Sequence, residues 1–423
     1  MENESLIVGN SNWAVKANSL LGYAVGEASG KYVPREFTFT RNSTATYTDE
    51  NGIIQTAAAN IARVQNNALL LEPQRTNLAL RSEEFDNASW TKSASSITAN
   101  STISPSGLTD ADSLIENTAN SSHQVFQTIT SVNGANAYTA TIYIKQNTNR
   151  NAAIRVQDGA FTYGQAVVTY NLNTGALISQ NVSGNGAILS TSATLVSGYY
   201  RIQLTFTINL STSFRYDVLI VNGTSNSYTG DGTSGIVIYG AQIEAGAYPT
   251  TYIPTTSATA TRVADFATTN NISTLFGSTE GSFFVDMTYD NGGASGSIPV
   301  FLRSSISSSY LYATYLQSQS GVIQLQVNNS GSASAAITSS AIFTQGQRVK
   351  IAVGYKQNDF VLYVNGSLIG TDTSGDISSS LAFIDLGTYS LVASTFQYNG
   401  TISESVLFPT RLTNAELQAL TTL

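Results

Sequence analysis

Val349-Lys350-Ile351-Ala352-Val353-Gly354-Tyr355-Lys356, then Phe360-Val361-Leu362-Tyr363-Val364, then Asn365-Gly366 and Ser367-Leu368-Ile369-Gly370, is the stretch that decides the fold class. In the first run the large apolar side chains fall on odd positions, the period of two that turns one row of a strand into a core. The second run is apolar on both parities, as in a strand covered on both faces. Asn-Gly tolerates positive φ at both central turn positions and is among the strongest short hairpin signals. Two hairpins in succession predict a β-sandwich.

The same pattern recurs outward along the chain. Between residues 259 and 423, strands are expected at Gly281 to Tyr289, Ile298 to Arg303, Tyr310 to Leu316, Val322 to Val327, Ala382 to Gly387 and Asn399 to Phe408. Thr413-Asn414-Ala415-Glu416 has the shape of a capping box and predicts one short helix that seals this sandwich. Residues 81–254 read as a second sandwich, with strands such as Tyr138 to Lys145, Tyr199 to Ile208 and Ile236 to Ile243. Turn signals such as Asn133-Gly134, Asp158-Gly159 and Asn222-Gly223 separate its strands. Residues 31–80 read as an extended β connector that pairs into a neighbouring sheet. Residues 1–30, with Trp13, Leu20, Leu21 and Tyr23 among Asn, Ser and Gly, read either as a frayed terminus or as an attachment segment. The predicted fold class is all-β: two tandem jelly-roll sandwiches after an extended N-terminal segment.

Composition narrows the function. Only 11% of the 423 residues are charged, against about 25% in an average soluble protein, and Ser, Thr, Asn, Gln and Gly take their place. Net charge is −8, from 19 basic and 27 acidic residues, with no basic run to engage phosphates. No stretch reaches the roughly 20 apolar residues that span a bilayer, and Met1-Glu2-Asn3-Glu4 lacks the positive start of a secretory signal. Cysteine is absent, which removes disulfides and thiolate metal sites. These features predict no nucleic-acid partner, no membrane insertion, and folding in a cytoplasm. The hydroxyl- and amide-rich surface suits rigid assemblies and offers hydrogen bonds to a sugar, although strands also favour Thr for packing alone.

Several segments resemble a known family. Phe39-Thr-Arg-Asn-Ser-Thr-Ala-Thr46, Glu50-Asn51-Gly52-Ile53-Ile54 and Leu71-Glu72-Pro73-Gln74-Arg75-Thr76-Asn77-Leu78 resemble a block of bacteriophage tail-fibre and virion structural proteins. Arg81-Ser-Glu-Glu-Phe85, Ser89-Trp90-Thr91-Lys92, Gln242-Ile243-Glu244 and Tyr252-Ile253-Pro254-Thr255 resemble the edges of the galactose-binding-like, carbohydrate-binding-module sandwich that follows it there. Asp359 to Gly366 and Arg411 to Leu417 resemble a concanavalin A-like, laminin G-type jelly roll. The resemblance implies a virion protein of tail or capsid, assembled in the host cytoplasm and trimeric. Its N-terminal segment would meet other virion proteins and its sandwiches host-surface or mucus glycans. A purely structural decoration or adaptor protein without a glycan ligand is the alternative.

Candidate chemistry is sparse. A Ser-His-Asp site would need His123, the one histidine, which sits in an expected strand and reads as structural. A glycosidase needs two carboxylates about 5–10 Å apart, and no acids cluster in such a pattern, so a non-enzymatic protein is expected. The resemblance implies that a structural calcium would join the first and last strands of the sandwich at residues 81–254, with Glu84, Asp86 and Glu244 as matching acids. Their other reading is solvated edge charge. For sugars, the loop from Asn226 to Gly232 combines an aromatic with amide and acid, and Asn226, Tyr228 and Asp231 are its candidate glycan-binding residues; its other reading is an ordinary turn.

Overall fold

A computed structural model of the chain describes residues 6–9, 13–25, 32–270, 272, 275, 276, 279–289, 299–304, 310–313, 322–329, 331–340, 342, 344, 346–377, 381–387 and 398–423. It is nearly all β, with one helix, Asn414–Thr421, among the described residues. Contacts divide it into two compact units interleaved in sequence: residues 1–44, 57–74 and 263–423 form one, residues 45–56 and 75–262 the other.

The diagnostic hairpins fold as their pattern demands. Arg348–Lys356, Asp359–Val364 and Ser367–Asp372 pair antiparallel in order, with Asn365 at φ 47 and Gly366 at φ 77 in the turn. Val349, Ile351, Val353 and Tyr355 enter the main core of the first unit. The doubly apolar strand is indeed covered twice. Phe360, Leu362 and Val364 face that core, while Val361 and Tyr363 join Phe408, Leu412 and Leu417 on the opposite side. Leu417 belongs to the C-terminal helix, whose N-cap Thr413 and Glu416 form a reciprocal capping box.

These strands belong to one layer of the first unit, where Arg348–Lys356 pairs with Glu280–Tyr289 and that strand with Gly400–Phe408. The other layer runs, by successive pairing, through Ser19–Val25, Tyr32–Thr40, Phe266–Asn270, Leu381–Leu386, Val300–Ser304, Tyr310–Ala313, Gln324–Asn329 and Ser332–Thr338. Apolar residues of both layers form a single core. The helix covers the outside of the first layer; the outside of the second carries the polar face described below.

The boundaries differ from a contiguous reading of the sequence. Leu6–Gly9 pairs with both Ser19–Val25 and Gly400–Phe408, and Leu6, Val8, Leu20 and Ala24 lie in the core. Trp13 and Val15 pack against it. Leu6, Val8, Leu20 and Ala24, with Trp13 and Val15 against them, are therefore covered by this unit's own sandwich. Phe37, Phe39, Leu69 and Leu71 of the expected connector are core residues as well. Alternating patterns in both stretches carry enough apolar surface to form strands of a sheet.

The second unit has two six-stranded sheets. One orders as Thr91–Ser93, His123–Thr130, Ser213–Val221, Asn151–Asp158, Gly164–Tyr170 and Leu177–Gly184. The other orders as Ser95–Ile103, Thr109–Glu116, Gly235–Ala245, Tyr138–Gln146, Tyr199–Ile208 and Gly186–Val196. They enclose a core around Trp90, Phe206, Phe214 and Tyr216. Tyr143, Tyr199, Tyr239 and Tyr252 form a smaller cluster with Ile54, Ala111 and Val237.

The segments that carry the family resemblance turn out to hold the framework. Asn77 is fully buried. Its amide donates to the carbonyls of Ala241 (3.0 Å) and Ile253 (2.8 Å) and accepts from the N–H groups of Ala79 and Ile243 (3.1 Å each). All its ordinary hydrogen-bonding capacity is used. In the first unit Arg41 and Arg63 meet Glu72 and Asp265 in a buried ionic cluster.

Asp112 is a buried acid with a measurable consequence. Its carboxylate accepts the N–H groups of Phe85 and Asn100, each at 2.9 Å. Burial, with a contribution from the Asp86 charge, nevertheless pushes it up from 3.8 to about 6. A folded value above the unfolded one means that the group favours the folded state most below pH 3.8, a contribution lost as pH rises through about 6. The difference is about 3 kcal/mol. The Asp112 carboxyl carbon, followed by NMR, is expected to titrate with a midpoint near 6; an ordinary aspartate midpoint would contradict this assignment.

Candidate glycan-binding face

The six residues singled out in the sequence do not share one set of partners. Glu244 is fully buried, accepting from the Gln242 amide (2.7 Å), the Thr250 N–H (2.8 Å) and the Thr250 hydroxyl (2.7 Å), with Arg75 at 3.8 Å. Glu84 lies half exposed and takes both bonds from Arg81 Nη1, at 2.9 and 3.1 Å. The Asp86 side chain is exposed, and its carbonyl, with those of Asn87 and Trp90, accepts the Lys92 ammonium at 2.6 to 2.9 Å. Among the described residues no three His, Cys, Asp or Glu side chains come together to hold a metal ion. The acids matched to a calcium site therefore do not converge, and a lysine cation already occupies the carbonyls beside Asp86.

Asn226 is exposed in a turn. Tyr228 and Asp231 belong to a closed polar cluster. The Tyr228 hydroxyl donates to Glu116 (2.6 Å), and its ring lies 4.8 Å from His123 and 5.6 Å from the Arg150 guanidinium. Arg150 forks onto Glu116 at 2.8 and 2.9 Å and reaches Asp231 at 3.1 Å. Asp231 also accepts from the backbone and hydroxyls of Thr233 and Ser234. Burial opposes the charge on Glu116, but the bonds from Arg150 and Tyr228 hold its carboxyl below the usual range. His123 is wholly buried, its Nδ1 2.6 Å from the Ala94 carbonyl and its Nε2 3.1 Å from that of Tyr228. The Tyr228 hydroxyl is thus taken up by Glu116, whereas Asp231, paired with Arg150, keeps 47% of its side chain exposed.

A more open constellation lies on the outside of the first unit's second layer. On Tyr32–Thr40 the apolar Phe37 and Phe39 face inward, which sets Glu36 and Thr38 outward. The register places Thr38 beside Thr268, Thr268 beside Asp385, and Asn270 beside Phe383. Phe383 is next to Arg303, Arg303 to Tyr310, and Tyr310 to Asn328. Asp385 is fully buried, accepting from Arg303 Nε at 2.8 Å and from the Thr268 hydroxyl at 2.6 Å. The Arg303 guanidinium lies 3.9 Å from the centre of the Phe383 ring, a cation–π contact that holds it flat on the sheet. Beside this pair is a shallow pocket lined by Glu36, Thr38, Thr268, Thr269, Asn270 and Phe383. Gln326 donates to Asn328 at 3.1 Å, and Asn328 in turn to the Tyr310 hydroxyl.

Chemically this face can hold a polyol. Planar amides, hydroxyls and one carboxylate answer sugar hydroxyls, and aromatic rings meet their C–H faces. No one segment of sequence displays the arrangement. Arg303 and Asp385 are 82 residues apart, and they meet only because their strands are neighbours. The available signal was parity: Phe383 and Asp385 alternate with the buried Ile384 and Leu386.

Residues 264–418 match the concanavalin A-like lectin/glucanases superfamily, in its Laminin_G_3 form. No curated protein matches the chain. Similar solved structures include the CBM40 of the Ruminococcus gnavus IT-sialidase bound to α2,3 sialyllactose. It is 16% identical with a TM-score of 0.30, over 36% of this chain and 86% of that one. Domain 4 of AbnA, a GH43 extracellular arabinanase from Geobacillus stearothermophilus in complex with arabinotriose, is 15% identical with a TM-score of 0.30, over 41% and 81%. The heptameric SAP-like pentraxin from Limulus polyphemus is 14% identical with a TM-score of 0.29, over 34% and 70%.

Proposed function

We propose that the protein is a non-catalytic glycan-binding component of a bacteriophage particle, and that the open face of the first unit is its ligand-binding surface. The observation that carries the binding reading is the pocket beside the stacked Arg303 and Phe383, with Asp385, Thr268 and Asn270 around it. Thr268, Thr269, Asn270 and Phe383 of its lining lie in the lectin-like match at residues 264–418, which supports it. A decoration protein that only packed against neighbours would be expected to present an apolar outward face; Glu36, Thr38 and Asn270 are instead polar and exposed.

The virion setting rests on the sequence block from Phe39 to Leu78 and the strand edges that follow it. Trimeric assembly, drawn from the same resemblance, would multiply weak individual sites into firm attachment. Gold-conjugated antibody on purified particles tests the setting, and the expected result is label at the tail or over the capsid. Particles that carry no label while the host cytoplasm holds the protein would overturn it.

A further inference from the structure

We infer that the second unit carries a separate binding site for a carboxylate-bearing saccharide, on the outer face of the sheet that holds Arg155, Arg215 and Asp217. It lies on a different unit from the face proposed above and does not depend on it.

The strand Phe214-Arg215-Tyr216-Asp217-Val218 explains how the site forms. Phe214, Tyr216 and Val218 enter the core, so Arg215 and Asp217 project from the opposite face. Register sets Asp217 between Phe126 and Arg155 on its two neighbouring strands. Asp217 is fully buried and is held by Arg215 Nε at 2.8 Å and by Arg155 Nε and Nη2 at 3.2 Å. Gln124 takes a further bond from Arg155 at 2.7 Å. Nη1 of each guanidinium has no hydrogen-bond partner among the described residues, and each side chain is 15% exposed.

Charge and aromatic placement point to the ligand class. Two guanidiniums face one carboxylate, a local balance of +1 on a chain of net charge −8. No other outward residue of those central strands is charged. An acidic ligand is therefore drawn to this face where most of the molecule repels it, and unpartnered guanidinium N–H groups suit a planar carboxylate. Arg215 lies 3.5 Å over the Phe126 ring and 5.6 Å from Phe161.

Phe161 supplies the second, independent observation. It is 65% exposed and has a φ of 59, a left-handed conformation rare for a bulky residue. Asp158 fixes the loop, accepting the N–H groups of Thr162 (2.9 Å) and Tyr163 (3.3 Å) and the Ser211 hydroxyl (2.6 Å). A strained, exposed ring at the rim of a charged polar face is a platform for the C–H face of a sugar.

The test uses the full chain and a panel of oligosaccharides built from galacturonate, glucuronate or sialate, each paired with its neutral methyl ester. Equilibrium binding is expected to favour at least one acid over its ester by tenfold or more, with the preference shrinking as salt is raised. Phe161→Gly should weaken that binding by about tenfold while leaving the melting temperature unchanged or higher, since glycine accepts this φ freely. Arg215→Gln should abolish the preference for acid over ester. No acidic preference anywhere in the panel, or full acidic binding by the Phe161→Gly protein, would overturn the proposal.

Discussion

Asp265→Ala is expected to destabilise the first unit by about 3–5 kcal/mol, the usual consequence of removing one partner of a buried ion pair. Asp265 accepts Arg41 Nη1 at 2.9 Å, Arg63 Nη2 and the Glu72 N–H at 2.9 Å. Arg63 Nη1 also donates to Glu72 at 2.6 Å. The four side chains are between 0 and 3% exposed, so two positive and two negative charges balance out of reach of water. Without Asp265 the two guanidiniums retain one carboxylate. Neither water nor salt can then screen the excess cheaply. Since whole domains are stable by only about 5–15 kcal/mol, much of the unit's stability is at stake. Asp265→Asn, which keeps the volume and one acceptor but removes the charge, should fall between the two proteins. Urea unfolding measures both, and a loss below about 1 kcal/mol for the alanine variant would contradict the role given to the cluster.

Removing residues 1–25 is expected to cost the first unit on the order of 5 kcal/mol or more. The truncation deletes Leu6, Val8 and Leu20, all fully buried, along with Ala24 at 3% exposure. It also unpairs the edge of Gly400–Phe408 and residues 32–38 of Tyr32–Thr40, which face Ser19–Val25. Exposed strand edges of that kind invite aggregation. An N-terminal tail serving only as an attachment segment would leave the melting temperature untouched. Thermal melting of the truncated chain separates the cases, with an unchanged transition contradicting the core role.

Much of the architecture was legible because it is written in parity. Val349, Ile351, Val353 and Tyr355 announced their buried face, and the two-sided burial of Phe360 to Val364 followed from apolar residues on both parities. Thr413 and Glu416 marked the helix start correctly. Strands such as Ser95–Ile103 and Gly186–Val196 were not foreseen, since they lie at sheet edges, are largely exposed and lack apolar alternation. The interleaved units were hidden for another reason. Strand partners such as Leu6–Gly9 and Gly400–Phe408 are remote in sequence, and pairing across such distances leaves no local mark.

The sites were less legible than the fold. The loop around Tyr228 had the composition of a binding loop, yet its tyrosine and aspartate are engaged by Glu116 and Arg150. The charged pairs on the open faces join residues 62 and 82 positions apart. Composition near one residue says little about them. Register between strands determines them.

The most direct measurement of the central claim is binding of host-surface glycans by the wild-type chain and by Glu36→Ala and Asn270→Ala. Both side chains are exposed at the pocket, so their removal should leave the melting temperature unchanged. A glycan retained by the wild type and bound at least tenfold more weakly by both variants is the predicted result. Undiminished binding by both variants, or no glycan retained by the wild type, would contradict a lectin-like role for this face.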